Sequence, residues 1–301
     1  FKNIHFPAQI EDYYKAKERL VLDEFIYLRS IFSYLKSKQK ELDSGLSYSF
    51  SDEDISHMKE LLPFELTNSQ KKVLKDILED LKNSFPMKRL LQGDVGSGKT
   101  VVAAIAIYAV VKSGYQVTLM APTEVLAEQH LKTLENFLYQ LDVDINFLTS
   151  SIKNRDHILE KIKNGTPGLF IGTHALIQDK IKFKNLGLVI IDEQQRFGVE
   201  QRKKLALNSA FNPDQLVMTA TPIPRTTALS IYGDLDISSI NEMPPGRKQI
   251  ISHLFNGLKE DDKKISNIVM NHLNDKSQVF VVCPFIEESE NLDIKAAENV
   301  F

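Results

Sequence analysis

One glycine-rich segment indicates the architecture of this 301-residue chain: Gly93-Asp94-Val95-Gly96-Ser97-Gly98-Lys99-Thr100, called the phosphate loop below. It fits the pattern G-x-x-x-x-G-K-[ST] and lies between a short apolar run and the helical pattern of residues 100–112. Glycines let the backbone turn tightly enough to aim several N–H groups at one anion, and the dipole of the following helix adds positive charge. Lys99 is placed to reach the β- and γ-phosphates of a nucleotide, and the Thr100 hydroxyl is placed to bind Mg²⁺. The whole segment is therefore a candidate nucleotide-binding site, with Lys99 also a candidate catalytic residue.

A second segment supplies two acids after a predicted strand: Leu188-Val189-Ile190-Ile191-Asp192-Glu193. An apolar strand that ends in acids puts them at the carboxyl edge of a sheet, where ligands bind in open α/β folds. We expect Asp192 to hold Mg²⁺ through water and Glu193 to take the proton of the attacking water. Acids at strand ends are also ordinary turn residues, but their position downstream of a phosphate loop favours the catalytic interpretation.

Short apolar runs alternate with helical patterns from residue 66 onward. This texture is typical of an α/β fold with a parallel sheet and helices on both faces, and with the phosphate loop it predicts a P-loop NTPase. The predicted strands are residues 89–92, 116–121, 145–148, 168–172, 186–191 and 215–218, and the predicted helices include residues 100–112 and 124–141.

Three regions are predicted along the chain: a helical connector over residues 1–60, a nucleotide-binding domain over residues 61–245, and the start of a second α/β unit over residues 246–301. An apolar stripe at helical spacing marks the connector, formed by Val21, Phe25, Leu28, Phe32 and Leu35. We expect this stripe to pack on the domain that follows, with a surface for a partner helix as the alternative.

The second unit follows a Pro244-Pro245-Gly246 linker. Its pattern predicts a strand over residues 249–255, a helix over residues 259–273 and a strand over residues 278–283. Because so few elements cannot close a sheet, we expect a truncated domain and hence a fragment of a longer protein.

The composition narrows the class of protein. With 43% hydrophobic and 26% charged residues, the chain is globular rather than disordered or collagen-like. Its formal net charge of −3 means that any nucleic-acid binding must use a local basic surface. A single cysteine excludes an internal disulfide and, without zinc-ligand spacing, predicts an intracellular protein without structural metal. The longest apolar run ends at Lys112, too short to span a bilayer.

Further stretches accompany the two nucleotide segments in a fixed order: Ala121-Pro122-Thr123-Glu124-Val125-Leu126-Ala127-Glu128-Gln129-His130, Gly172-Thr173-His174-Ala175-Leu176-Ile177, Asp192-Glu193-Gln194-Gln195-Arg196-Phe197-Gly198-Val199 and Thr219-Ala220-Thr221-Pro222-Ile223-Pro224-Arg225-Thr226. With the phosphate loop, these strings resemble the RecG branch of superfamily-two DNA helicases. The resemblance covers the chain from about Ile4. It implies a RecA-like first motor domain over residues 61–245 and a truncated second RecA-like unit. It also implies a DNA-wedge domain before Phe1 and most of the second motor domain beyond this chain.

The resemblance assigns adenine recognition to Phe64 and Gln70, upstream of the phosphate loop. A glutamine amide can pair a donor and an acceptor with the adenine edge, which would select ATP over GTP. The alternative for Gln70 is a plain solvated helix residue.

The resemblance also assigns contacts with the DNA backbone, to Thr123, Glu124, Thr173 and His174. Short polar groups and helix N-termini suit contacts with phosphates that do not depend on the DNA sequence. The alternative for His174 is a loop residue that makes its hydrogen bonds within the protein. Thr219 and Thr221 would link hydrolysis to domain movement, with a helix cap as the alternative for Thr221.

One position departs from the family pattern. Gln195 stands where the family usually has histidine, in a role that couples the Mg²⁺ acids to the threonine motif. Glutamine keeps a donor and an acceptor but cannot be charged, so we expect coupling to survive with less sensitivity to pH.

The resemblance implies an ATP-dependent DNA helicase or translocase acting on branched DNA, such as stalled replication forks and Holliday junctions, in recombination and repair. Its implied cofactors are ATP and Mg²⁺, and its implied partners are branched DNA and single-strand binding protein. We expect a monomer in the cytoplasm, associated with the bacterial nucleoid and not with a membrane.

Three alternatives stay open. A transcription-repair coupling translocase has similar motor domains, although the lead-in to the phosphate loop favours the RecG branch. The chain alone could be an ATP-binding module with hydrolysis near background, since the family's arginine fingers would lie in the missing part. A metabolic kinase would need an acceptor site that the sequence does not show, and would not explain Thr219-Ala220-Thr221.

Overall fold

The computed structural model describes residues 1–42, 45–152, 155–178, 181–193, 212–221, 235–245, 251–255 and 259–282. The chain forms two compact units, Phe1–Arg247 and Lys248–Phe301. Within the described ranges, every helix is too short or too polar to cross a membrane.

A seven-stranded parallel sheet forms the centre of the first unit, in the order β3-β4-β2-β5-β6-β1-β7. Its strands are β1 (Lys88–Gly93), β2 (Gln116–Met120), β3 (Ile145–Leu148), β4 (Gly168–Gly172), β5 (Leu186–Asp192), β6 (Asp214–Thr219) and β7 (Asp236–Ile240). The helices of this unit are α1 (Lys2–His5), α2 (Ile10–Leu42), α3 (Asp52–Glu60), α4 (Asn68–Leu81), α5 (Lys99–Lys112), α6 (Glu124–Leu138) and α7 (Asp156–Asn164), with a 3₁₀ turn at His174–Ile177.

The six predicted strands are confirmed within one residue at each end, and the parallel sheet is confirmed with them. The seventh, β7, was not predicted because its sequence, Asp-Ile-Ser-Ser-Ile, is half polar. It lies at the sheet edge and pairs only with β1 among the described strands, so it needs fewer apolar residues than a central strand.

Two large hydrophobic cores of the described residues cover the two faces of this sheet, and a small third cluster contains Leu90, Val217 and Leu235. Along β5, Leu188 and Ile190 enter one core, whereas Val189 and Ile191 enter the other. Since side chains alternate across a strand, this division shows that both faces are buried. Helix α5 lies in the first core and is buried from Val101 through Val110, all around its circumference, which fixes the helix that follows the phosphate loop.

The connector differs from the prediction. The long helix α2 contains the expected stripe, but Val21, Phe25 and Leu28 are exposed rather than packed on the nucleotide-binding domain. The physical reason is that both faces of the sheet are covered by buried residues that, among the described ones, begin only at Tyr48. Helix α2 precedes these residues and contributes none of them. Packing of these three residues on that domain was therefore a wrong prediction, whereas Phe32 is half-buried and the side chain of Leu35 lies outside the described residues.

The second unit contains one described helix, α8 (Lys259–Asn274), which matches the predicted helix. The strands predicted over residues 249–255 and 278–283 are wrong for their described parts, which have no regular secondary structure. A strand requires a hydrogen-bonded neighbour, and apolar side chains there, such as Leu254 and Val282, are almost fully exposed instead of sheet-buried.

Candidate nucleotide-binding site

The phosphate loop connects β1 to α5, and two of its three glycines have positive φ. Gly96 has φ 74° and Gly98 has φ 88°, values that L side chains rarely adopt. A Cβ atom on Gly98 would also collide with Nε2 of Gln70. The N-cap residue of α5 is Gly98, which has no side chain that could bond the N–H groups of the first turn. These groups have no acceptor inside the helix and are therefore available to an anion.

Lys99 occupies the first position of α5 and closes over its own loop. Its Nζ atom donates to the carbonyl oxygens of Gly93, at 2.7 Å, and Asp94, at 3.0 Å. Burial lowers the pKa of Lys99, and the opposing attraction of Asp192, then Glu193 and Asp94, limits that shift. Both acids of the second segment thus act electrostatically on the ammonium group.

The loop residues fit a triphosphate and its Mg²⁺. Ser97 Oγ is buried and has no hydrogen-bond partner within the described chain, as expected of a group that awaits a ligand. Thr100 lies in the first turn of α5 and Asp192 ends β5, so a hydroxyl and a carboxylate are offered to the cation.

Asp192 and Glu193 leave the end of β5 in different directions. Asp192 Oδ2 lies 2.7 Å from Nε2 of His130, a contact that the sequence analysis missed. Glu193 has φ 53°, a left-handed conformation that is strained for a residue other than glycine. Its Oε1 atom accepts a hydrogen bond of 3.2 Å from the N–H of Ala220, which the sequence also did not indicate.

The threonine motif lies beside this acid. Thr219 Oγ1 and Thr221 Oγ1 are 2.9 Å apart, and Thr221 N–H donates to Thr219 Oγ1 over 3.2 Å. With Ala220 bound to Glu193, the segment after β6 directly contacts a predicted catalytic residue. Gln195, the fourth predicted catalytic residue, lies outside the described residues.

A cavity of about 280 Å³ opens beside the phosphate loop, on the side of Phe64. Phe64 is 42% exposed and packs edge-to-face on Phe137, with 6.0 Å between ring centroids. The rest of the lining is formed by the phosphate loop, Gln70, Val101, Thr133 and Pro244. An apolar cavity with an accessible ring suits a planar base.

Gln70 is only 1% exposed, and both ends of its amide are bound within the protein. Its Oε1 atom accepts from Thr67 N–H and its Nε2 atom donates to Ser97 O, each over 2.8 Å. The solvated alternative is wrong, because Gln70 forms a capping box at the start of α4. Pairing with adenine stays a prediction and would require these bonds to be exchanged.

The four predicted DNA contacts follow β2 and β4. Thr123 is exposed and caps α6 by accepting from Leu126 N–H at 3.3 Å. The carboxylate of Glu124 accepts from Ser151 Oγ, 3.0 Å away in the loop after β3. After β4, Thr173 is buried at 7% exposure and His174 is exposed.

The strand order separates the two sets of candidate residues. Strands β3, β4 and β2 are neighbours, and their carboxyl ends bring the predicted DNA contacts to one side of the sheet edge. Strands β5, β6 and β1 continue the same edge and carry the acids, the threonine motif and the phosphate loop. The boundary lies between β2 and β5, where α6 begins on one side and Asp192 lies on the other.

A parallel sheet with a phosphate loop after β1 and a pair of acids after β5 defines a RecA-like P-loop nucleotide-binding domain. The DEAD/DEAH box helicase family model matches residues 67–229, and the chain belongs to this family.

Within the family, the predicted resemblance to RecG is confirmed. The ATP-dependent DNA helicase RecG of Bacillus subtilis (strain 168) is 46% identical over 302 residues, covering 100% of this chain and 44% of the relative. The RecG helicase of Streptococcus pneumoniae is also 46% identical, over 98% of this chain and 43% of the relative. The chain therefore spans less than half the length of these relatives.

Solved structures support the fold in the same way. A structure of RecG bound to a three-way DNA junction is similar with a TM-score of 0.77 and 38% identity, over 91% of this chain and 36% of that chain. The DUF1998 helicase MrfA, at 16% identity and a TM-score of 0.54 over 77% of this chain and 38% of that chain, shares the fold alone. The predicted RecA-like fold is thereby confirmed.

Proposed function

We propose that this chain is the ATP-binding motor segment of an ATP-dependent DNA helicase that acts on branched DNA. The observation that carries the proposal is the start of α5, where the N-cap Gly98 leaves the first N–H groups without a side-chain acceptor. There Lys99 donates to a carbonyl oxygen of the phosphate loop and is attracted electrostatically by Asp192 and Glu193.

The phosphate loop binds the triphosphate through backbone N–H groups, and Lys99 exchanges its two carbonyl acceptors for phosphate oxygens. Thr100 and Asp192 would hold Mg²⁺, which would neutralise negative charge on the phosphates. A carboxylate oxygen of Glu193 takes the proton of the attacking water, while Ala220 N–H keeps the other oxygen oriented. Phe64 offers a face to the adenine.

DNA binding is proposed for the edge formed after β2 and β4. Thr123, Glu124 and His174 lie there with exposed or partly exposed side chains. Thr173 is more buried, so we propose that it acts through its backbone. The relative solved with a three-way junction supports branched DNA as the substrate class, and the RecG names of the relatives favour this branch over a transcription-repair coupling translocase.

The resemblance implies that movement on DNA requires a second motor domain, and we propose that residues 246–301 are only its start. We therefore propose that the chain alone binds ATP and hydrolyses it near background. Coupling by Thr219, Thr221 and Gln195, a monomeric state, contact with single-strand binding protein and a cytoplasmic, nucleoid-associated location are further proposals from the resemblance.

The test is ATP turnover of the full-length protein with forked and with linear duplex DNA. We expect forked DNA to stimulate turnover at least tenfold more than linear DNA at equal nucleotide concentration. Lys99→Ala should abolish the stimulation, whereas Lys132→Ala, at an exposed position on α6, should retain it. Equal stimulation by both DNAs would contradict the proposed substrate, and stimulation that persists in Lys99→Ala would contradict the proposed site.

A further inference from the structure

His130 connects helix α6 to the acid pair. Its Nε2 atom lies 2.7 Å from Oδ2 of Asp192, and the ring must donate because a carboxylate oxygen only accepts. The two side chains are 12% and 13% exposed, so water competes little for this hydrogen bond. The bond is therefore a fixed feature of the site.

Helix α6, which carries His130, is fixed in position by its cap and its buried residues. The helix is capped at its start by Thr123 and anchored in the first hydrophobic core by Ala127, Leu134 and Leu138. His130 lies seven positions after Thr123, which is about two helical turns and brings both residues to the same side of α6. One side of α6 thus carries a predicted DNA contact at its first turn and the partner of Asp192 two turns later.

We propose that His130 is a positioning residue that orients the Asp192 carboxylate for Mg²⁺, an inference that rests on the proposed function of the site. With Oδ2 bound to the imidazole, the carboxylate cannot rotate freely and is presented to the cation in one orientation. Partners of metal-binding carboxylates commonly change metal affinity by about 10- to 100-fold when they are removed. His130 acts only through Asp192, so it should matter for the cation and not for the nucleotide itself.

The experiment measures the affinity of this chain for a fluorescent, slowly hydrolysed ATP analogue, in Mg²⁺ and in EDTA. The ratio of the two dissociation constants is the gain due to Mg²⁺. We expect His130→Ala to reduce this gain about tenfold and to leave the affinity in EDTA within about twofold of the unsubstituted chain. His130→Gln, whose amide N–H can occupy the place of Nε2–H, should keep most of the gain.

The control is His157→Ala, at an exposed histidine on α7, which should keep the full gain. Should His130→Ala not fold, judged by circular dichroism, the comparison of His130→Gln with His130→Asn replaces it, because the shorter asparagine cannot reach Asp192. The expected result is then a gain retained by glutamine and lost by asparagine.

The possible failures are distinguishable. If the unsubstituted chain binds no nucleotide in either buffer, both the proposed function and this inference are overturned. If it binds nucleotide and His130→Ala keeps the full gain from Mg²⁺, only this inference is overturned. Equal weakening of His130→Ala in Mg²⁺ and in EDTA would also overturn it, because that pattern reports a general structural role.

Discussion

The Nε2 atom of Gln70 donates a hydrogen bond to the carbonyl oxygen of Ser97 over 2.8 Å, and so joins the start of α4 to the phosphate loop. The same turn of α4 is bound from the other side, since Ser69 N–H donates to Glu242 Oε2 over 3.0 Å. Glu242 belongs to the segment that follows β7 and leads toward the second unit. The first turn of α4 therefore contacts both the candidate nucleotide site and the chain leading out of the domain.

Replacing Gln70 tests whether it supports the loop. Gln70→Glu keeps the acceptor for Thr67 N–H but turns a second acceptor toward Ser97 O, leaving a buried carbonyl without its donor. Such a loss costs about 1–3 kcal/mol, so nucleotide affinity should fall about tenfold or more. Isothermal titration with ATP and with tripolyphosphate, which has no base, gives the measurement.

The two ligands separate the two roles of Gln70. Support of the loop predicts that both affinities fall together, whereas pairing with adenine alone predicts that only the affinity for ATP falls. Gln140→Glu, at an exposed position, should leave both unchanged.

Phe64 provides a prediction about the base. Its exposed ring lines the 280 Å³ cavity against Phe137, and removing an aromatic stacking surface costs about 1 kcal/mol. We expect Phe64→Ala to weaken binding of ATP about fivefold and to leave tripolyphosphate binding unchanged, with Phe64→Tyr close to the unsubstituted chain. Tyr139→Ala, at an exposed aromatic residue, serves as the control. Equal ATP affinity in Phe64→Ala would show that the base binds elsewhere.

Glu193 provides a prediction that separates binding from hydrolysis. Glu193→Gln retains an Oε1 atom that can accept from Ala220 N–H, but it cannot take a proton from water. In the full-length protein, DNA-stimulated hydrolysis should fall by about 10²-fold or more while ATP affinity changes less than threefold. Steady-state turnover and equilibrium binding measure the two quantities, and Glu160→Gln on α7 is the exposed control. Turnover within tenfold of the original would remove Glu193 as the general base.

Asp214 provides a prediction about how the stability of the chain depends on pH. It is 2% exposed, accepts from Met87 N–H, and burial raises its pKa to about 7. Between the ordinary aspartate pKa of about 4 and this value, the folded state holds a proton that the unfolded state has released. The free energy of unfolding should therefore decrease as pH rises from about 4 to about 7, with a slope of up to about 1.4 kcal/mol per pH unit.

Urea unfolding at pH 5, 6 and 7 measures this slope. Asp214→Asn keeps an oxygen that accepts from Met87 N–H but takes up no proton. Its free energy of unfolding should therefore decrease less steeply with pH, by up to about 1.4 kcal/mol per pH unit. Asp156→Asn, at an exposed position on α7, should behave as the original chain does. Identical slopes in all three proteins would mean that Asp214 is ionised throughout this range.

The sequence predicted the sheet because its central strands are continuous apolar runs, and it located the phosphate loop because glycine spacing and the following helix are local features. It failed where tertiary neighbours decide. The half-polar β7 exists because β1 offers it an edge, and the stripe at Val21 is exposed because no described element covers it. In the second unit, the described parts of the apolar runs form no strand, because no described strand pairs with them.

The site shows the same division. Lys99 and Asp192 could be predicted from their own segments, since Lys99 follows a glycine-rich loop at the start of a helix and Asp192 ends an apolar strand. The bond from His130 to Asp192 joins residues 62 positions apart, and the bond from Ala220 to Glu193 joins residues 27 positions apart. Only the order of β2, β5 and β6 in the sheet brings these pairs together. The only sequence signal for the contact of His130 was its position two helical turns after the cap residue Thr123, and this spacing does not identify Asp192 as the partner.

Binding of an ATP analogue to this chain, followed by fluorescence anisotropy in Mg²⁺, tests the central claim most directly. The account predicts saturable binding at one site, weakened at least tenfold by Lys99→Ala and unchanged by Lys132→Ala. Absence of binding, or equal affinity in the Lys99→Ala variant, would contradict it.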